Sequence, residues 1–218
     1  MRASLLLLLT LVFVAGCGGG DDEANGTATS TSGATSECTS VEQPPPREPG
    51  TNKAPTAGLD ATKTYTLTFE TNCGSFTITL DPKLAPETSA SLVALAKDAY
   101  FDDTVFHRVV PGFVIQGGDP TQTGAGGPGY STVDAPPASV AYAKGVVAMA
   151  KTAVESPGTA GSQFFVVTGD DAGLPPEYAV VGEVTEGMDA VERIDALGVG
   201  DGPPSQPVVV SKVTVGES

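Results

Sequence analysis

The stretch Phe106-His107-Arg108-Val109-Val110-Pro111-Gly112-Phe113-Val114-Ile115-Gln116-Gly117-Gly118-Asp119-Pro120 sets a permanent cation beside an aromatic ring and an amide side chain. A second stretch, Gly161-Ser162-Gln163-Phe164-Phe165, adds another amide and an aromatic pair. A guanidinium is always charged and presents a rigid fork of donors, so Arg108 can hydrogen-bond an electron-rich atom without giving up a proton. Other chemistries are poorly supported. His107 is the only histidine, and no Ser or Cys stands at a spacing that would pair it for hydrolysis. It reads as a structural residue beside the site. Gly117-Gly118 and the glycines from Gly124 to Gly129 lack the lysine and the strand-to-helix context of a phosphate loop; they read as turns where backbone passes closely. No His/Cys cluster has metal-ligand spacing. Arg108 alone would be an ordinary solvated strand residue, and a Phe-Phe pair alone would be core. Strand alternation sends Phe164 and Phe165 to opposite faces, one to the core and one to the site.

These residues need strands to hold them. Tyr65, Leu67 and Phe69 alternate with threonines, Asn72-Cys73-Gly74 marks a turn, and Phe76, Ile78 and Leu80 resume the alternation, so 64–80 is predicted as a hairpin. Pro86 opens a helix to about Asp98 with Leu92, Leu95 and Ala96 on one face. Strands are predicted at Thr104–Val109, Phe113–Gly117, Gly145–Ala150, Ser162–Thr168, Ala179–Val184 and Val208–Val215. A second helix is predicted at Met188–Leu197 with Met188, Val191 and Ile194 as its apolar stripe. Many short strands with two helices imply a mainly β fold, a closed β-barrel with helices over its ends.

Composition bounds the partners. The formal net charge of -15 argues against nucleic acid, whose affinity rests on Lys and Arg, and against electrostatic attraction to an anionic membrane. Hydrophobic residues at 40% suffice for a core. Arg2 precedes the apolar run Leu5–Val14, too short to span a bilayer but suited to a signal-peptide core. Val14-Ala15-Gly16-Cys17 then resembles a bacterial lipobox, so Cys17 is expected to carry a lipid after cleavage, residues 1–17 being the signal peptide. That places the mature chain outside the cytoplasm, anchored to the cell membrane by lipid alone. Cys38 and Cys73 remain as a pair in an oxidising compartment, a possible disulfide. Residues 18–61, rich in Gly, Ser, Thr and Pro, read as a flexible tether, stiffened at Pro44-Pro45-Pro46. The folded domain is expected over 62–218.

The two stretches above are similar to the cyclophilin signatures FHR-x-x-PGF-x-x-QGGD and GSQFF. Gly145-Val146-Val147-Ala148-Met149-Ala150, Gly182-Glu183-Val184 and Gly187-Met188 match in order. The resemblance covers about 62–218. It implies a closed eight-stranded antiparallel barrel capped by two helices and a groove for X-Pro peptides, with peptidyl-prolyl cis/trans isomerase activity, no cofactor, no metal, and commonly a monomeric domain. The alternative is a proline-peptide binding module or holdase with little turnover.

The residue types suit that chemistry. Rotation about a peptide bond faces a barrier of roughly 18–20 kcal/mol from C–N double-bond character. No bond breaks, so the need is for a donor that favours the twisted amide over the planar one. Arg108 is the candidate, hydrogen-bonding the proline nitrogen as it turns pyramidal. The resemblance assigns Phe113 and Gln116 to the catalytic groove with it. Phe113, Phe165 and Leu174 would form an apolar cup for the proline ring, with Val114 and Met149 alongside. Gln116 and Gln163 would bond peptide carbonyls and hold Arg108. Ala150, Lys151 and Tyr178 complete the expected substrate contacts. The chain departs from the family in places. Gly173 stands where many members carry a tryptophan that contributes to cyclosporin binding. Val114 replaces a methionine, Tyr178 a groove histidine, and the loop Lys151–Gly158 is slightly longer than in compact members.

Overall fold

The computed structural model describes residues 37–218. The expected signal peptide 1–17 with its lipobox Cys17, and residues 18–36 of the expected tether, lie outside the described residues.

Alternation builds the first hairpin. β1 (Tyr65–Thr71) and β2 (Gly74–Leu80) pair antiparallel, with Leu67 facing Ile78 and Phe69 facing Phe76. Tyr65, Leu67 and Phe69 are buried, while the threonines between them are only half-buried. The following strands are β3 (Thr104–Val105), β4 (Arg108–Val110), β5 (Val114–Gly117), β6 (Thr132–Val133), β7 (Val146–Met149), β8 (Thr159–Ala160), β9 (Phe164–Val167), β10 (Val180–Glu186) and β11 (Val209–Glu217). Nine of them form one antiparallel sheet in the order β3-β11-β1-β2-β10-β7-β9-β5-β4; β6 and β8 pair separately.

The sheet curls until Leu67 and Phe69 of β1 share one core with Val109 of β4, Ile115 of β5 and Phe164 of β9. The ring of Phe69 lies 5.1 Å from both Phe76 and Phe164. The expected eight-stranded closed barrel is corrected: the main sheet has nine strands and does not close. Its edges, β3 and β4, are two and three residues long, too short for a closing ladder. Single bridges, Val105–Asp119 and Val109–Gly202, stand there instead. The strand expected over Thr104–Val109 is split, because Phe106 turns its ring into the core and bonds through its N–H to the Val208 carbonyl. Gly118, at φ +84°, lets the chain pass Phe164 so closely that a Cβ would sit 3.0 Å from its ring.

Two helices pack on the sheet. α1 (Pro86–Lys97) begins with proline at its first turn. Its own residues provide no side-chain cap; Asp134 accepts from the Thr88 N–H at 2.7 Å and so satisfies one of the free amide donors. Leu92, Leu95 and Ala96 are buried as the stripe requires. α2 (Met188–Asp195) buries Val191 and Ile194 completely and packs on β2, β4 and β5.

Residues 37–60, within the segment expected as a tether, have neither helix nor strand but are attached to the domain. A disulfide joins Cys38 to Cys73. Backbone N–H groups of Thr39, Arg47, Gly50 and Asn52 bond to the carbonyls of Asn72, Pro120, Gly127 and Pro128 at 2.8–2.9 Å. The shortage of apolar residues that suggested mobility is offset by covalent and backbone attachment.

Candidate active site

Strand register assembles the site on the outer face of the sheet. Arg108 on β4 pairs with Gln116 on β5, Gln116 with Phe165 on β9, and Phe165 with Ala148 on β7. Four antiparallel strands therefore present one row across their pleat. Val114, two residues before Gln116, shares that face and is buried beneath it with Phe165, Ala148, Val167, Val180 and Tyr142. Phe113, Leu174, Ala150 and Tyr178 pack on this second apolar cluster while remaining partly exposed.

The result is a cavity of about 270 Å³. Phe113, Val114, Phe165 and Leu174 form its apolar part. Arg108 and Gln116 stand on one side, Ala150, Lys151 and Tyr178 on the other. Gln163 lines the adjoining cavity and reaches the site through Gln116, whose Nε2 donates to the Gln163 Oε1 at 3.1 Å.

Met149 is not in this group. It pairs with Phe164, and both side chains point into the main core; Met149 is fully buried there. The expectation that Met149 flanks the cup is corrected: a period of two puts Ala148 on the outer face, so its neighbour must face inward. The same rule separates the aromatic pair, Phe164 inside and Phe165 outside.

Each wall has an identifiable support. Phe113 follows a turn in which its own N–H bonds to the Val110 carbonyl at 3.0 Å. Both Asp195 carboxylate oxygens accept from the Gly112 N–H at 3.1 Å, and Asp195 also accepts from the Thr168 hydroxyl at 2.7 Å. The end of α2 thus fixes the turn that aims Phe113. The Tyr142 hydroxyl donates to the Tyr178 carbonyl at 2.8 Å and accepts from the Tyr178 N–H at 3.0 Å. Tyr178 then meets Phe165 edge-on, ring centroids 5.6 Å apart. Lys151, its side chain buried, pairs with Glu177 at 3.0 Å and donates to the carbonyls of Thr152 and Glu155. That ammonium ties the 151–155 loop to the segment carrying Tyr178.

Arg108 is held on two edges. Its Nε and Nη2 donate to the two carboxylate oxygens of Asp201 at 2.5 and 3.2 Å, and its Nη1 donates to the Gln116 Oε1 at 3.2 Å. Of five N–H donors on a guanidinium, two have no partner among the described residues, and the side chain is 31% exposed. The hydrogen bond and charge of Arg108 hold the Asp201 carboxyl below its ordinary range. Asp201, Asp195, Tyr142 and Glu177 were not identified from sequence; each lies far along the chain from the group it supports, in a segment with no motif of its own.

His107 lies beside Arg108 but bonds to nothing: neither ring nitrogen has a partner among the described residues. Burial pushes its pKa down, with the Arg108 charge adding to this and Asp119 opposing it. Asp119 itself is pushed up by burial, but hydrogen bonds from Thr121, Gly126 and Gly124 outweigh that and hold it low. Among the described residues, no group of three His, Cys, Asp or Glu side chains could hold a metal ion, and no helix is long and apolar enough to cross a membrane. The arrangement suits binding and polarising an amide beside a small apolar ring.

Comparison with known proteins agrees with this geometry. Residues 66–215 match the family model described as cyclophilin type peptidyl-prolyl cis-trans isomerase/CLD. The chain is 38% identical over 171 residues to a probable peptidyl-prolyl cis-trans isomerase A of Mycobacterium bovis, covering 70% of this chain and 92% of that protein. It is 36% identical over 170 residues to the Mycobacterium leprae counterpart, covering 69% and 91%. A crystal structure of a cyclophilin type peptidyl-prolyl cis-trans isomerase from Cryptosporidium parvum superposes with a TM-score of 0.64 at 27% identity, covering 70% of this chain and 98% of that one. The same parasite enzyme in the presence of the dipeptide Ala-Pro superposes equally well, at 28% identity over 69% and 98% of the two chains. A signature arginine clamped over an apolar cup, on a fold shared from first hairpin to last strand, thus places this chain in the cyclophilin-type peptidyl-prolyl cis-trans isomerase family.

Proposed function

We propose that the cup formed by Phe113, Val114, Phe165 and Leu174 receives the proline ring of an X-Pro segment and that Arg108 stabilises the twisted amide. The observation that carries this is the pair of Arg108 donors with no partner among the described residues, on a guanidinium already fixed by Asp201 and Gln116. Fixing the donor before substrate arrives means little reorganisation at the transition state. As resonance is lost, the proline nitrogen gains a lone pair that a guanidinium N–H can meet. A thousandfold acceleration needs about 4 kcal/mol, within reach of one charged donor in a partly dry cavity. The Ala-Pro dipeptide named with the parasite relative supports a proline-containing ligand.

The clients in this reading are secreted or envelope proteins still folding, and the enzyme works as a monomer held to the cell membrane by lipid on Cys17. The Val14-Ala15-Gly16-Cys17 tetrad and a disulfide at Cys38–Cys73 support an extracytoplasmic site. The test has two parts. Cys17→Ser should move the protein from the membrane fraction to the soluble one; unchanged retention refutes the anchor. The soluble Cys17→Ser chain should then speed cis-to-trans relaxation of an X-Pro test peptide, with loss of that rate when Phe113 is replaced by alanine in a folded variant.

A further inference from the structure

Arg108 ends a relay of hydrogen bonds that starts on a backbone carbonyl. The Gln163 Nε2 donates to the Gly126 carbonyl at 2.9 Å, the Gln116 Nε2 donates to the Gln163 Oε1 at 3.1 Å, and the Arg108 Nη1 donates to the Gln116 Oε1 at 3.2 Å. An amide side chain donates at one end and accepts at the other. The Gly126 carbonyl therefore dictates which way both glutamines face, so that an oxygen and not an NH₂ group meets the guanidinium.

The loop that supplies this carbonyl has little conformational preference of its own. Residues 124–129 read Gly-Ala-Gly-Gly-Pro-Gly, and glycine leaves the backbone free. Two outside supports hold it. Asp119 accepts from the N–H groups of Gly124 and Gly126 at 2.7 and 3.1 Å. The second support is the segment 37–52, outside the 66–215 stretch that carries the family likeness. Its Gly50 N–H bonds to the Gly127 carbonyl at 2.8 Å and its Asn52 N–H to the Pro128 carbonyl at 2.9 Å.

That segment is itself built into place. The Cys38–Cys73 disulfide anchors its start. The Arg47 N–H bonds to the Pro120 carbonyl at 2.8 Å, and Gln122 donates to the Pro44 carbonyl at 2.9 Å. A Cβ on Gly50 would come within 2.9 Å of the Tyr100 ring and 3.0 Å of the Pro128 Cα. One on Gly129, at φ +92°, would come within 2.7 Å of the Gly50 carbonyl oxygen. Segment and loop are thus registered at a glycine-to-glycine contact.

We propose that the segment 37–52 is a positioning element for the isomerase reaction: by clamping Gly127 and Pro128 it holds the Gly126 carbonyl, which through Gln163 and Gln116 sets the orientation of Arg108. This rests on the reading that Arg108 stabilises the twisted amide. No residue of the segment lines the Phe113 cup, so the effect falls on kcat and leaves KM nearly unchanged.

The experiment uses the Cys17→Ser chain and an Ala-Pro test peptide. Gly50→Val forces the segment off Tyr100 and Pro128, and should lower kcat at least threefold with KM within twofold of the parent. Gln163→Leu removes the relay and should also lower kcat at least threefold. In the double variant the relay is already gone, so losing the clamp should cost less than a further twofold in kcat. A general loosening of the fold would multiply the two losses. Either single loss falling under threefold, a KM shift beyond twofold in Gly50→Val, or losses that multiply overturn the proposal. Gly129→Ala breaks the same contact from the loop side and replaces Gly50→Val if that variant lacks a cooperative melting transition. Arg108→Ala separates the two readings. If it lowers turnover tenfold while Gly50→Val leaves kcat unchanged, the segment proposal alone falls. If folded Arg108→Ala turns over like the parent, the Arg108 reading falls and takes the segment with it.

Discussion

Arg108 and Asp201 meet edge to edge across 93 positions of sequence, the guanidinium Nε and Nη2 each donating to one carboxylate oxygen. A bidentate pair of this kind fixes orientation as well as charge. Asp201 is 69% exposed, so the contact contributes little to stability and its value lies in aiming Arg108. Asp201→Asn should therefore lower kcat several-fold with KM nearly unchanged and the melting temperature within about 2 °C of the parent. Arg108→Ala should lower kcat/KM at least tenfold while the protein stays folded. Equal kcat for parent and Asp201→Asn would remove Asp201 from any positioning role.

Met149 belongs to the core and not to the substrate cup. Met149→Leu conserves volume and should cost under about 1.5 kcal/mol, leaving kcat/KM within twofold of the parent. Met149→Ala should cost about 2–5 kcal/mol through the space left behind. Denaturant unfolding alongside peptide kinetics checks both. A large rise in KM for the leucine variant would return Met149 to the groove.

Reducing the Cys38–Cys73 disulfide opens a loop of sequence separation 35. The expected loss is about 2–4 kcal/mol. Residues 37–52 should exchange amide hydrogens faster than the core strands once the bridge is gone, because scattered hydrogen bonds and no strand ladder then hold them. Intact mass before and after reduction and alkylation tests the bridge; hydrogen exchange tests the order of loss. Simultaneous exposure of residues 37–52 and the core would show that the segment is part of the cooperative unit.

His107 supplies a pH dependence with a definite sign. Burial lowers its pKa below the ordinary 6.5, so below that pH the unfolded chain binds a proton that the folded chain resists. The stabilisation is complete above about pH 6.5 and declines as pH falls toward the lowered folded value, by at most about 1.4 kcal/mol per pH unit for one proton. Since His107 is the only histidine, His107→Gln should flatten the unfolding midpoint between pH 7.5 and 5.5. A parent midpoint that does not move over that range would contradict the burial argument.

The sequence alone determined the elements whose cause is local. Alternation in 65–80 and the Pro86 helix start are written in neighbouring residues, and the signature stretches carry Arg108, Phe113, Gln116, Gln163 and Phe165 in fixed order. Tertiary structure decided what depends on pairing between distant segments. Register chose Ala148 over Met149 for the outer face, because a shift of one residue exchanges faces and only the partner strand sets the shift. Edge strands of two and three residues left the sheet open, since closure depends on ladder length between chain segments far apart. Asp201 and Asp195 became supports of the site through contacts that no local pattern announces. The segment 37–52, too polar to fold by burial, is ordered by bonds to backbone carbonyls whose positions exist only after the domain has formed.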